Sequence, residues 1–243
     1  MREGLKTALV LLTRVPLRIR GPFDLAAATP WYPLVGAALG LVGGLVFAGL
    51  TLASVPSFPA AVVVLACLML LTGALHEDGL ADCADALGPH DRARRLEVMR
   101  DSRIGSFGTL ALVLVTLIRI AGLSALWNPT LQIATLVVVA AASRGAMVGL
   151  MRALPPARRD GLGAAAGRPD ATSLAIALAL PVLLAVALLG PVTACALIGA
   201  ALVATVLWGL AARRLFGGQT GDVLGGGQQL AEAAMWLVVT TLR

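Results

Sequence analysis

Long apolar runs, separated by proline- or arginine-bearing breaks, set the rhythm of this chain. Seven stand out, at about 31–53, 60–76, 107–126, 131–150, 172–189, 192–211 and 229–242. Most approach the ~20 residues a helix needs to cross a bilayer. "SVPSFPA" separates the first two, "LWNPTLQ" the third and fourth, and "LGPVT" the fifth and sixth. These are proline turns of the kind that end helices. The last run is short for a span and reads as tilted, re-entrant or lying at the surface. Ahead of the first run, "MREGLKTALVLLTRVPLRIRGP" interleaves apolar residues with Arg and Lys. Over 1–30 this predicts an amphipathic segment on the membrane surface or capping the bundle, with no cleavable signal. The pattern thus predicts an all-α polytopic membrane bundle of about six to seven transmembrane helices. The loops of about 15–30 residues are too short to fold alone, so 1–243 reads as one domain. No sequence repeat is visible.

Composition agrees. The chain is 58% hydrophobic and 13% charged, against about 25% charged in a typical soluble domain. Its net charge of +6 reads as topology rather than nucleic-acid binding, because of where the cations fall. Arg2, Lys6, Arg14, Arg18 and Arg20 precede the first run, and Arg92, Arg94, Arg95, Arg100 and Arg103 follow the second. Arg152, Arg158, Arg159 and Arg168 follow the fourth, and Arg213 and Arg214 the sixth. The alternate connections carry no Lys or Arg. The positive-inside rule then places the N-terminus and the long loops in the cytoplasm. Arg119 lies deep in a run and needs a partner or water. Arg144 is expected nearer the cytoplasmic end of its run. Cys67, Cys83 and Cys195 show no paired spacing, so neither a disulfide framework nor a thiolate metal site is expected.

One stretch breaks the apolar pattern. "LTGALHEDGLADCADALG" puts Glu77, Asp78, Asp82 and Asp85 together, in a chain with only 13 acidic residues among 243. At about 100° per helical residue, Asp78, Asp82 and Asp85 share a stripe about 60° wide, with Glu77 roughly a quarter turn aside. Like charges so close repel unless a cation joins them. Carboxylate oxygens without Cys partners suit Mg²⁺ better than zinc. The competing reading is a solvated helix end facing water and nearby arginines. "RRLEVMRDSRIGSFG" adds Asp101 between Arg100 and Arg103, and "FGGQTGDVLGGGQQLAE" adds Gly221 and Asp222 on the same predicted face. Glycine at this density allows a backbone to approach a phosphate closely, although a flexible interhelical loop would look the same. Asp101 could simply pair with a neighbouring arginine, His76 could be an interfacial residue hydrogen-bonded at a helix end, and Arg144 could be snorkelling. Carboxylate-held Mg²⁺ beside arginines is the equipment of phosphoryl transfer from a phosphate-activated substrate.

Together with "LLTRVPL" and "WYPLVGAALGLVGG", these motifs resemble the bacterial cobalamin synthase family, the adenosylcobinamide-GDP ribazoletransferases, across essentially the whole chain. The HxDG and D-x-x-D pattern falls on His76, Asp78, Gly79, Asp82 and Asp85, DSRIG on 101–105, and TGD on 220–222. The Ala-rich "GLGAAAGRPD" stands where a bulkier loop is expected. The resemblance implies a multi-pass enzyme of the cytoplasmic (inner) membrane with its site facing the cytoplasm. It implies Mg²⁺-dependent transfer of cobinamide phosphate from adenosylcobinamide-GDP to α-ribazole or its 5′-phosphate, releasing GMP, late in cobalamin biosynthesis. Expected metal ligands are Glu77, Asp78, Asp82 and Asp85. Expected substrate or phosphate contacts are Gly79, Arg103, Arg144, Gly221 and Asp222. Asp82 and Asp101 are the catalytic candidates, Asp101 as a base. Partners are the small-molecule substrates and the lipid bilayer, with room for a homo-oligomer and none for nucleic acid. CDP-alcohol phosphatidyltransferases offer an analogy of mechanism only, since Cys83 stands where their pattern has Arg. The alternative function is an ion-coupled transporter, against which the acids lie at the membrane boundary rather than its midplane.

Overall fold

The computed structural model describes residues 2–18, 24–161 and 167–241, so Arg20 and residues 162–166 of the Ala-rich stretch lie outside the described residues. Ten α-helices are present among them: α1 Arg2–Leu12, α2 Tyr32–Leu52, α3 Ser57–Thr72, α4 Leu75–Asp85 and α5 Arg92–Val98, then α6 Ser106–Ser124, α7 Pro129–Ala153, α8 Ala171–Leu189, α9 Pro191–Leu215 and α10 Gly221–Val239. Five, α2 and α6 to α9, are long and apolar enough to cross a membrane, or six if the bent α3–α4 pair counts as one span. The chain is thus an all-α, multi-pass membrane protein. Its outward face is oily: Leu70 is 78% exposed and Val192 82%. An apolar surface of that extent is at home in hydrocarbon and not in water.

Local chemistry sets the helix boundaries. Asn128 accepts from the Thr130 and Leu131 amides with Pro129 in the first turn, and Asp170 accepts from Ser173. Both are N-cap arrangements that satisfy otherwise unpaired amides. α3 ends where Gly73 and Ala74 both take positive φ, 66° and 54°. Two left-handed residues in succession swing α4 by 91° from α3. The apolar run read as 60–76 is therefore broken, and the acidic stripe belongs to a separate short helix. At ~1.5 Å per residue α4 is about 16 Å long, too short to cross by itself.

The last run is also corrected. It is the end of α10, which starts at Gly221, where the Thr220 hydroxyl accepts from the Val223 amide. The glycines of "GDVLGGGQQ" are inside this helix, not in a loop. A Cβ at Gly225 would touch His76, and one at Gly227 would run into Leu150 and Trp208. They let α4, α7 and α9 close onto α10. Glu232, Gln228 and Gln229 keep α10 from reading as a span, yet these three side chains are buried and turned away from lipid.

α1 caps the bundle, with Ala8 and Leu12 fully buried. α2 and α7 meet along Gly36, Gly40 and Gly44, where an added Cβ would collide with the Ala140 and Leu136 carbonyl oxygens and the Ile133 Cα. Small residues every fourth position are how membrane helices approach closely. Gly40→Leu is expected to lower the detergent unfolding temperature sharply, or to prevent recovery of folded protein. Leu at nearby Gly49, which faces open space, is expected to cost little.

Candidate active site

α4 carries two chemistries on opposite faces. Its buried face holds His76 and Glu77; its other face presents Asp78 to solvent and Asp82 and Asp85 half-buried. Gly79 is the contact point, because a Cβ there would lie 2.9 Å from the Asp222 Cα and carbonyl oxygen. Its part is to let α4 touch the first turn of α10, so that Asp78 and Asp82 come beside Asp222. Asp78, Asp222 and Asp85 are the acidic charges Asp82 feels, with Arg158 as the opposing cation. Arg158 Nη2 donates to Asp222 Oδ2 at 2.9 Å. It is delivered there because the loop before α10 is pinned to the loop after α7: Gln219 N donates to Pro155 O and Ala157 N to Gln219 O, both at 2.8 Å.

Other basic residues gather at the same end. Arg100 grips Asp160 through both carboxylate oxygens, at 2.9 and 2.7 Å. Arg95 donates to the Leu215 and Pro89 carbonyls. The arginine-bearing connections thus meet at one end of the bundle. Thr51, Leu126 and Gln132 are hydrogen-bonded together at helix ends from connections that carry no Lys or Arg.

Four predicted assignments change once side chains are placed. Glu77 does not join the aspartates. It accepts from Arg119 Nη1 at 2.8 Å inside the bundle, and Arg119 also pairs with Glu232 at 3.1 Å. Arg144 is not open to a phosphate either: it is 6% exposed and pairs with Glu232 at 3.4 Å. Gln228 donates to Glu232 and Ser143, and Gln229 to Glu77. Two arginines and two glutamates, tied to polar partners, form a neutral knot across α4, α6, α7 and α10. Burying charge in a bilayer is tolerable in this paired form.

Asp85 is the third. Its two oxygens accept from the Gly105 amide at 2.7 Å and the Gly108 amide at 2.8 Å. It caps the start of α6 from another helix and fixes the DSRIG loop next to the aspartates. Asp85→Ala is expected to destabilise the protein by about 1–2 kcal/mol, the scale of a lost cap. Thermal unfolding of the variant in detergent checks this.

Asp101 is the fourth. It accepts from Arg103 Nη2 at 2.7 Å, and Arg103 is largely exposed. Arg103 holds the Asp101 carboxyl down to about 2. Such a group takes a proton poorly at neutral pH, so the geometry gives no support to Asp101 as a base.

Beside the aspartates a cleft opens between α1, α2, α4, α7 and α10. Tyr32, Met147 and Met151 line it, together with His76, Asp78, Gly221 and Asp222. His76 is buried, and its Nε2 has no hydrogen-bond partner among the described residues.

The comparisons with known proteins bear on what such a site does. A family model described as cobalamin-5-phosphate synthase matches residues 4–240. The chain belongs to this family. An adenosylcobinamide-GDP ribazoletransferase from Azorhizobium caulinodans is 46% identical over 229 residues, covering 90% of this chain and 85% of its own length. One from Mesorhizobium japonicum is 44% identical over 249 residues, covering 98% and 93%. One from Xanthobacter autotrophicus is 49% identical over 217 residues, covering 82% and 78%. No solved structure matches. The chain is accordingly an enzyme of the cobalamin-5-phosphate synthase family, a transferase.

The donor set of this family member fits a hard divalent ion. Among the described residues no three His, Cys, Asp or Glu side chains form a ready-made cage. The carboxylates of Asp78, Asp82 and Asp222 are oxygen donors, the ligand type Mg²⁺ takes together with waters and substrate phosphates. Arg158 is the functional candidate the motifs underweighted: it lies in an arginine-rich loop with no fixed spacing to Asp222. The Arg119–Glu232 pair had a signal, namely charge in the middle of two helices that must otherwise be apolar.

Proposed function

We propose that this enzyme transfers cobinamide phosphate from adenosylcobinamide-GDP to α-ribazole or its 5′-phosphate, releasing GMP. The observation that carries the reading is the junction of α4 with α10, which brings Asp78, Asp82, Asp222 and Arg158 together, with Asp78 and Asp222 lining a cleft. Asp78, Asp82 and Asp222 would hold Mg²⁺, whose chemistry is to neutralise charge on a pyrophosphate and its leaving group. Arg158, held by Asp222, takes a phosphate oxygen of the departing GMP. The Gly221 amide, at the positive end of α10, faces the same cleft and favours an anion there. The acceptor hydroxyl attacks the phosphorus on cobinamide, and the bond to the GMP oxygen breaks.

The gathering of arginine-bearing loops at the site end supports a site facing the cytoplasm across the inner membrane. An ion-coupled transporter is disfavoured, because Glu77 and Glu232 inside the bundle are already neutralised by Arg119 and Arg144. The test is GMP release by purified protein in detergent, with α-ribazole and its 5′-phosphate compared as acceptors. Release that depends on an acceptor and on Mg²⁺ is expected. Absence of release with either acceptor would sink the reading.

A further inference from the structure

The cleft beside the aspartates has walls unlike its end. Leu11 and Leu12 of α1, Leu25, and Met147 and Met151 of α7 make it apolar, with Tyr32 beside them. His76, Asp78 and Asp222 enter it from the starts of α4 and α10. The site therefore offers an oily slot leading to a polar, anion-handling end. We infer that this slot seats the aromatic base of the acceptor, with its ribose directed to Asp78 and Asp222. The inference rests on the transfer reaction proposed above and assigns a place to one of its two substrates.

Two flat bases compete for such a slot: the guanine of the activated donor and the benzimidazole of the acceptor. Guanine carries an amino group, a ring N–H and a carbonyl on its edges. Against leucine and methionine each would lose water without gaining a partner, at roughly 1–3 kcal/mol per group. A benzimidazole has no exocyclic polar group and keeps its favourable transfer from water. Methionine also packs well on aromatic rings and adapts to their outline. At the other end, Asp78 is exposed and Asp222 half-buried, and carboxylates reached from the slot accept from ribose hydroxyls. Met151 is fully buried, so a larger side chain there has the slot as its nearest free space.

The first measurement uses the wild-type enzyme. Free 5,6-dimethylbenzimidazole is expected to inhibit GMP release competitively against α-ribazole and not against adenosylcobinamide-GDP. Competition with the donor instead would overturn the assignment. The second measurement uses Met151→Phe, which fills the slot, with Met151→Leu as the volume-preserving control. Met151→Phe is expected to raise KM for α-ribazole at least tenfold, and to raise it less for the riboside of unsubstituted benzimidazole, while KM for the donor stays within twofold. Unchanged acceptor KM in a folded, active Met151→Phe would overturn the inference and leave the transfer reaction standing. Loss of GMP release in the wild type would instead strike the reaction itself. If Met151→Phe fails to fold, Met147→Phe, on the same wall of the slot, takes its place with the same expected rise in acceptor KM, and an unchanged acceptor KM there overturns the inference.

Discussion

Asp82→Asn is expected to lower GMP release about 10²–10³-fold, the loss that follows when several kcal/mol of charge stabilisation at a transferring phosphate is removed. The substitution keeps the shape of the side chain and deletes one negative charge. Asp82 is half-buried and its acidic neighbours are Asp78, Asp222 and Asp85, so removing its charge also relieves repulsion. The variant should therefore insert, fold and resist heat at least as well as the parent. That pairing separates a cation-holding carboxylate from a structural one. Thermal unfolding in detergent and GMP release, measured on the same preparation, give both readings. An active Asp82→Asn would remove the acidic stripe from the chemistry.

Arg119→Met is expected to destabilise the bundle by about 3–5 kcal/mol, the usual penalty for leaving a buried charge unpaired. Arg119 is 3% exposed and its guanidinium neutralises both Glu77 and Glu232. Without it, Arg144 faces two glutamates alone. Adding Glu77→Gln restores the charge balance, and the double variant is expected to recover a large part of the lost stability. Reversible unfolding of the four proteins of this cycle, in mild detergent, gives the coupling directly. Additive losses, with no recovery in the double variant, would mean that Glu77 is not bonded to Arg119. Only then would Glu77 be free to serve as a metal ligand.

Much of the fold was legible because lipid imposes a simple rule on the chain. α2 and α6 to α9 follow from apolar runs ended by proline, asparagine or glycine. The break at Gly73 and Ala74 was hidden, since an alanine in a left-handed conformation leaves no mark on hydropathy. The start of α10 was hidden for the opposite reason: "GDVLGGG" looks like a loop, yet its glycines serve close helix packing. At the site, the stripe of Asp78 and Asp82 followed from helical spacing. Spacing also set Glu77 to one side, and the structure puts it in the bundle. It could not reveal that Asp85 caps a helix whose amides are 20 and 23 residues away. It also could not show that Arg144 meets Glu232 across 88 residues of chain. Those pairings depend on which helices become neighbours, and that information lies in packing rather than in local pattern.

The central claim is that Asp78, Asp82 and Asp222 hold a divalent ion against the activated phosphate. Its most direct test is Mn²⁺ binding followed by electron paramagnetic resonance in the presence of adenosylcobinamide-GDP, comparing the wild type with Asp82→Asn. The account predicts tight, substrate-dependent Mn²⁺ binding in the wild type and at least a tenfold weaker affinity in the variant. Equal Mn²⁺ affinity in the two proteins would contradict it.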